Sequence, residues 1–198
     1  MAGAGVGEWA RVVARNGAEV QIDRPLPTPP DATSLVSIAP MQGQHLFIDN
    51  DFEDAAFAVQ LYGTSIETVI AGNRSSLTEG YFIKALEYQH PQPSWYNQIL
   101  DNEIGAPGLG GTASITLLGR LKSLADPLTL NYMSVVRGNR LAAPARIELR
   151  GQPPFPALVS DPIVEHNRLA PTASVGKFAG VANAVIRANG GAREEARP

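Results

Sequence analysis

The chain has 198 residues, 44% of them hydrophobic and 18% charged, with a formal net charge of −3 and no cysteine. The acidic balance argues against a nucleic-acid partner, which selects a basic surface, and no apolar run reaches the roughly 18 to 20 residues that span a bilayer. Disulfides, thiolate metal sites and cysteine nucleophiles are excluded, and His45, His90 and His166 are too scattered to suggest a metal cluster, so no metal or cofactor is expected.

The first eight residues, Met1 to Glu8, have neither the basic start nor the apolar stretch of a secretory signal. Trp9 to Asp23 reads as two alternating strands around Asn16-Gly17, a strong hairpin signal. Four prolines between Pro25 and Ala32 make an extended link. Residues 1–33 are therefore assigned to a hairpin and link, and Ser34 to Ala39 to a strand that returns into the repeats beyond it.

Residues 34–190 repeat. Six segments share an ending: Leu46 to Asn50, Val69 to Asn73, Gln98 to Asn102, Val135 to Asn139, Ile163 to Asn167 and Val185 to Asn189. Three places before each asparagine stands an apolar residue, namely Phe47, Ile70, Ile99, Val136, Val164 and Ile186. The asparagines are spaced by 23, 29, 37, 28 and 22 residues; the shortest match a minimal three-strand rung and the longer ones leave room for loops. A second strand register comes after the first five asparagines: Phe57 to Gly63, Gly80 to Leu86, Ala113 to Gly119, Ala145 to Gly151 and Ser174 to Gly180. Each unit reads as strand, Asn turn, link, strand and, in all but one, Gly turn. That order predicts a parallel solenoid whose equivalent residues stack in columns about 4.8 Å apart. Asparagine suits such a corner because its amide bonds the backbone and the amides above and below, and because it tolerates left-handed backbone.

The Val-Ile-x-x-Asn endings resemble those of the right-handed parallel β-helix superfamily, the pectate-lyase-like group, over roughly Gln44 to Gly190. The resemblance implies an all-β fold of about six or seven rungs and an association with polysaccharide, as a lyase, a glycoside hydrolase or a fragment of one. It also implies an extracellular or cell-surface setting. A non-catalytic structural or adhesive module is the alternative. Six or seven rungs leave both solenoid ends open, so either the chain oligomerises or further rungs precede it. Residues 191–198 read as a charged, frayed tail.

Three constellations are weighed for chemistry. Asp49 and Asp101 precede their asparagines two rungs apart, roughly 10 Å, and an Asp at a turn bonds its own backbone more readily than it catalyses. Asp51, Arg74, Glu103, Arg140 and Arg168 come directly after their asparagines as an alternating, solvated charge ladder. The third is Ala85 to Asn97, in a rung of 29 residues and so expected to bulge as a loop. It gathers Glu87 and His90 as proton-transfer candidates, with Glu79 on the strand before it. Tyr88, Trp95 and Tyr96 offer ring faces to a sugar, and Lys84 would neighbour the same site. The glycine-rich link from Gly105 to Gly111 has no lysine and opens no helix, so it is not a phosphate loop.

Overall fold

A computed structural model describes residues 1–108, 114–123 and 128–191, and the backbone of 193–196. Residues 109–113, which hold the end of the glycine-rich link and Ala113, lie outside the described residues. The chain divides into two compact units, Met1–Ile38 and Ala39–Pro198.

The first unit holds an antiparallel hairpin, Val12–Asn16 with Glu19–Ile22, in which Asn16 faces Glu19. The two-residue turn is thus Gly17-Ala18, one place later than the Asn-Gly signal suggests. Gly17 has φ of +60°, and positive φ at the first turn residue is what a type II′ hairpin needs. Every residue of both strands is exposed. Among the described residues Ser34–Ala39 joins no ladder, and Leu35 makes an antiparallel bridge to Ala2.

The second unit is an all-β parallel solenoid of six rungs. Its second sheet stacks the segments that precede the asparagines: Leu46–Ile48, Val69–Ala71, Gln98–Leu100, Val135–Arg137, Ile163–Glu165 and Val185–Arg187. Its fourth sheet stacks the second register: Val59–Tyr62, Gly80–Glu87, Ser114–Arg120, Arg146–Arg150, Ser174–Lys177 and Arg193–Ala196. Two further sheets, of strands two or three residues long, complete the outline. The first runs from Gln42–Gly43 through Ser94–Trp95 to Val181–Ala182, and the third from Asp51–Glu53 to Arg168–Leu169. Each full rung therefore has four strands, not the two or three expected from the repeat.

The alternation of the strands builds the core. Tyr81, Ile115 and Ile147 share one inward column of the fourth sheet and Ile83, Leu117 and Leu149 the next, all wholly buried. From the second sheet Ile70, Ile99, Val136 and Val164 point in, also at 0% exposure. Each such side chain contributes about 2 kcal/mol by leaving water.

The asparagine corner holds the rungs in register. Each Asn Nδ2 donates to the Oδ1 of the asparagine one rung on: Asn50 to Asn73, Asn73 to Asn102 and Asn102 to Asn139 at 2.9 Å, Asn139 to Asn167 at 3.0 Å, and Asn167 to Asn189 at 2.9 Å. The same Oδ1 accepts the backbone N–H of the previous asparagine, at 2.9 Å from Asn73 to Asn102. The second Nδ2 hydrogen goes back to a carbonyl of the previous rung, as from Asn102 to Ile70 at 2.9 Å. In the middle rungs both donors and both acceptor sites of the amide are thus used.

Left-handed backbone falls one place earlier than expected, on the residue before the asparagine. Asp49, Gly72, Asp101, Gly138, His166 and Ala188 have φ between 52° and 71°. A matching column, Gln44, Glu67, Tyr96, Met133, Asp161 and Asn183, takes φ between 47° and 60° at the other end of the second sheet. Two such residues turn the chain sharply at each end of a three-residue strand. Each non-glycine among them costs about 1 kcal/mol, which the ladder offsets. The alternation of Asp and Gly is also steric. A Cβ on Gly72 would lie 2.3 Å from Asp49 Oδ1, and one on Gly138 only 1.9 Å from Asp101 Oδ1. Asp49 and Asp101 therefore fill space that the next rung leaves open.

Candidate functional site on the fourth sheet

Register decides which outward side chains meet. On the outer face of the fourth sheet Gln60, Phe82, Thr116, Glu148 and Gly176 form one column, and Tyr62, Lys84, Leu118 and Arg150 the next. Phe57, Glu79, Phe82, Ser114, Thr116, Leu118, Glu148 and Arg150 line a shallow cleft of about 220 Å³ there.

Three kinds of group converge on the cleft. Phe57 and Phe82 stack with centroids 5.6 Å apart and 14° between planes, presenting an apolar wall. The hydroxyls of Ser114 and Thr116 lie 3.1 Å apart and exchange a hydrogen bond. Arg150 chelates Glu148, Nε to Oε2 at 3.0 Å and Nη2 to Oε1 at 3.1 Å, and stacks its guanidinium 4.8 Å from the centre of Phe178. That fork uses two of the five guanidinium N–H groups and leaves three. Glu148 is almost buried and its charge is balanced, whereas Glu79 is half-buried with no ion pair or hydrogen bond to its carboxylate among the described residues. Glu79 is thus the cleft carboxylate that makes no ion pair or hydrogen bond among the described residues.

Beside the cleft, Lys84 Nζ sits 4.7 Å over the ring of Tyr62, and Tyr62 lies 6.3 Å from Tyr88. The Tyr88 phenol is held above its ordinary range, chiefly by its hydrogen bond with Tyr62. Tyr62 and Tyr88 are 47% and 57% exposed, so this aromatic and cationic group continues the same outer face into solvent.

The residues singled out from sequence are dispersed. Glu79 lines the cleft, and Lys84 and Tyr88 stand next to it. Glu87 is buried; its Oε2 accepts the backbone N–H groups of Lys122 and Ser123, both at 2.8 Å, and its Oε1 accepts the Ser123 hydroxyl. It anchors the segment that lengthens the next rung to 37 residues. His90 is exposed in a tight turn, its carbonyl accepting the Tyr88 N–H at 3.2 Å. Trp95 and Tyr96 belong to the first sheet and its corner, where they meet Tyr132 edge-on at 6.0 and 5.7 Å. Trp95 is only 5% exposed and its indole N–H has no partner among the described residues. Ala85 to Asn97 does not bulge as a free loop. Its first residues extend the strand Gly80–Glu87, and Pro91–Gln92 turns back antiparallel on Leu86 and Glu87.

Sequence reasoning missed Phe57, Phe82, Thr116, Glu148, Arg150 and Tyr62. The signal was present but latent: Phe82, Thr116 and Glu148 occupy equivalent places in successive repeats. They become neighbours only when the fourth-sheet register is aligned as the asparagines are. Comparison of the chain with protein-family models, curated proteins and solved structures gave no match.

Proposed function

We propose that the solenoid is a carbohydrate-associated β-helix of the pectate-lyase-like kind, which takes a polysaccharide strand along the outer face of its fourth sheet. The supporting observation is the cleft, where an apolar aromatic wall, two hydroxyls, a guanidinium with spare donors and a free carboxylate converge. Sugar rings offer an apolar C–H face to Phe57 and Phe82 and hydroxyls to Ser114, Thr116 and Arg150. An acidic sugar would place its carboxylate on the free guanidinium edge of Arg150. Glu79 then serves as the proton-transfer residue of a lyase or hydrolase. In this reading Lys84, Tyr62 and Tyr88 extend the binding surface, and the parent setting is extracellular or at the cell surface.

A glycan-array and polysaccharide-depletion screen tests this, run on the wild type beside Phe82→Ala and Glu79→Gln. Retention of a polysaccharide by wild type and its loss in Phe82→Ala is expected. Chain cleavage, seen as new reducing ends or unsaturated products, is expected to disappear in Glu79→Gln while binding persists. A folded wild type that retains no glycan overturns the carbohydrate reading and favours a purely structural module.

A further inference from the structure

The two ends of the solenoid are unalike and complementary. Along the outer column of the second sheet, the interior members Val69, Gln98, Val135 and Ile163 are half-buried by their neighbours, while Leu46 at one end is 67% exposed and Val185 at the other 41%. Inside, the column from Ile70 to Val164 is wholly buried, but its end members Phe47 and Ile186 are only partly so. Ile48 adds a further exposed apolar side chain to the first rung, at 47%. Among the described residues every strand of the first and last rungs has a ladder partner on one side only, so each end presents open backbone groups beside unburied apolar residues.

The asparagine ladder has a direction. Nδ2 and the backbone N–H donate toward the C-terminal rung, and Oδ1 accepts from the N-terminal side. At the first rung nothing among the described residues donates to Asn50 Oδ1. At the last rung Asn189 donates Nδ2 to Val164 O at 3.0 Å, and among the described residues its other amide hydrogen and its backbone N–H have no acceptor. One end is an open acceptor, the other an open pair of donors. Charge runs the same way. Asp49, Asp51, Glu53 and Asp54 ring the first rung, and no lysine or arginine occurs between Ala39 and Tyr62. Around the same corner Arg187 stands in the last rung and Arg168 in the rung before it, and the acid there, Glu165, is already paired with Arg187 and Arg137.

We infer that the solenoid stacks head to tail on a second copy of itself, the last rung of one copy meeting the first rung of the next. Leu46 and Ile48 of the first rung then continue the columns of Val185 and Arg187, Phe47 continues that of Ile186, and Asn189 donates to Asn50 Oδ1 across the junction. Pairing like ends would set four acids against four acids and two acceptors against each other, so the contact is heterologous. A heterologous contact of this kind adds copies in a row rather than closing on two. The inference is independent of the carbohydrate reading.

Sedimentation of the full chain over a range of concentrations tests it. The wild type is expected to rise from monomer to about twice the monomer mass and beyond as concentration increases, and to fall back in high salt, which screens the acid-to-arginine attraction. Leu46→Lys blocks one end and Val185→Lys the other, both at exposed positions, and circular dichroism checks that each keeps its strands. Each variant alone is expected to stay monomeric. Mixed in equal amounts they are expected to form a dimer that grows no further, because each still has one sound end and the two sound ends match. A wild type monomeric at every concentration overturns the inference. So does assembly that survives both substitutions, or a mixture that stays monomeric.

Discussion

The asparagine corner and the outer face of the fourth sheet are made by the same rungs, yet one repeats and the other does not. At the corner each asparagine must complete the hydrogen bonds of the one below it, so the residue is the same six times. On the outer face the equivalent column reads Gln60, Phe82, Thr116, Glu148 and Gly176, each answerable only to solvent and its immediate neighbours. A solenoid therefore uses uniform columns to hold register and variable columns to build a surface. Identity along a column marks scaffold, and difference along a column marks where chemistry is free to appear.

Breaking the corner gives the largest effect expected. Asn102→Ala removes four buried amide contacts and leaves Asn73 Nδ2, Asn139 Oδ1 and the Ile70 carbonyl short of partners. Equilibrium denaturation is expected to show a loss of about 4 kcal/mol, and a loss below about 1 kcal/mol would mean the ladder is ornamental. Next comes Gly138→Ala, which combines φ of 71° with a Cβ driven onto Asp101 Oδ1. It is expected to cost about 3 kcal/mol, of which the double variant with Asp101→Gly recovers the steric part and leaves the backbone strain of about 1 kcal/mol. Equal losses in the single and double variants would refute the interlock.

Smaller effects sharpen the contrast. Glu87→Ala frees the N–H groups of Lys122 and Ser123 and is expected to cost about 2 kcal/mol in a thermal melt, with glycan affinity unchanged. A binding defect without a stability defect would return Glu87 to the site. Glu165 lies between Arg187, at 2.8 Å, and Arg137, at 2.6 Å, and these guanidinium groups hold its carboxyl below the ordinary 4.5. A depressed folded value means the contribution is present above the unfolded pKa and disappears as pH falls through the folded one. The stability gap between wild type and Glu165→Gln is expected at neutral pH and should close on acidification below pH 4.5; a gap independent of pH would contradict the triad.

The corner was legible because its constraint is written six times in one place, with Phe47, Ile70, Ile99, Val136, Val164 and Ile186 at a fixed offset. The first and third sheets were not legible. Their strands are two or three residues long, too short for alternation to stand out, and their corners rest on left-handed residues as varied as Tyr96, Met133 and Asp161. The cleft was half-legible. Glu79, Lys84 and Tyr88 were within reach because they lie on or directly beside one strand, but Phe82, Thr116 and Glu148 are 34 and 32 residues apart and meet only through register. Proximity in sequence also misled. Glu87, His90 and Trp95 lie within nine residues, yet one is buried as an anchor, one is exposed in a turn and one packs on another sheet.

The most direct test of the division between scaffold and surface is a titration of one retained polysaccharide against wild type, Phe82→Ala and His90→Ala, each checked for a wild-type melting curve. The account predicts at least about a tenfold loss of affinity for Phe82→Ala, on the order of 1.4 kcal/mol, and none for His90→Ala, since Phe82 forms the cleft wall and His90 lies outside it. Undiminished affinity in Phe82→Ala, or a loss confined to His90→Ala, would contradict it and move the ligand surface off the fourth sheet.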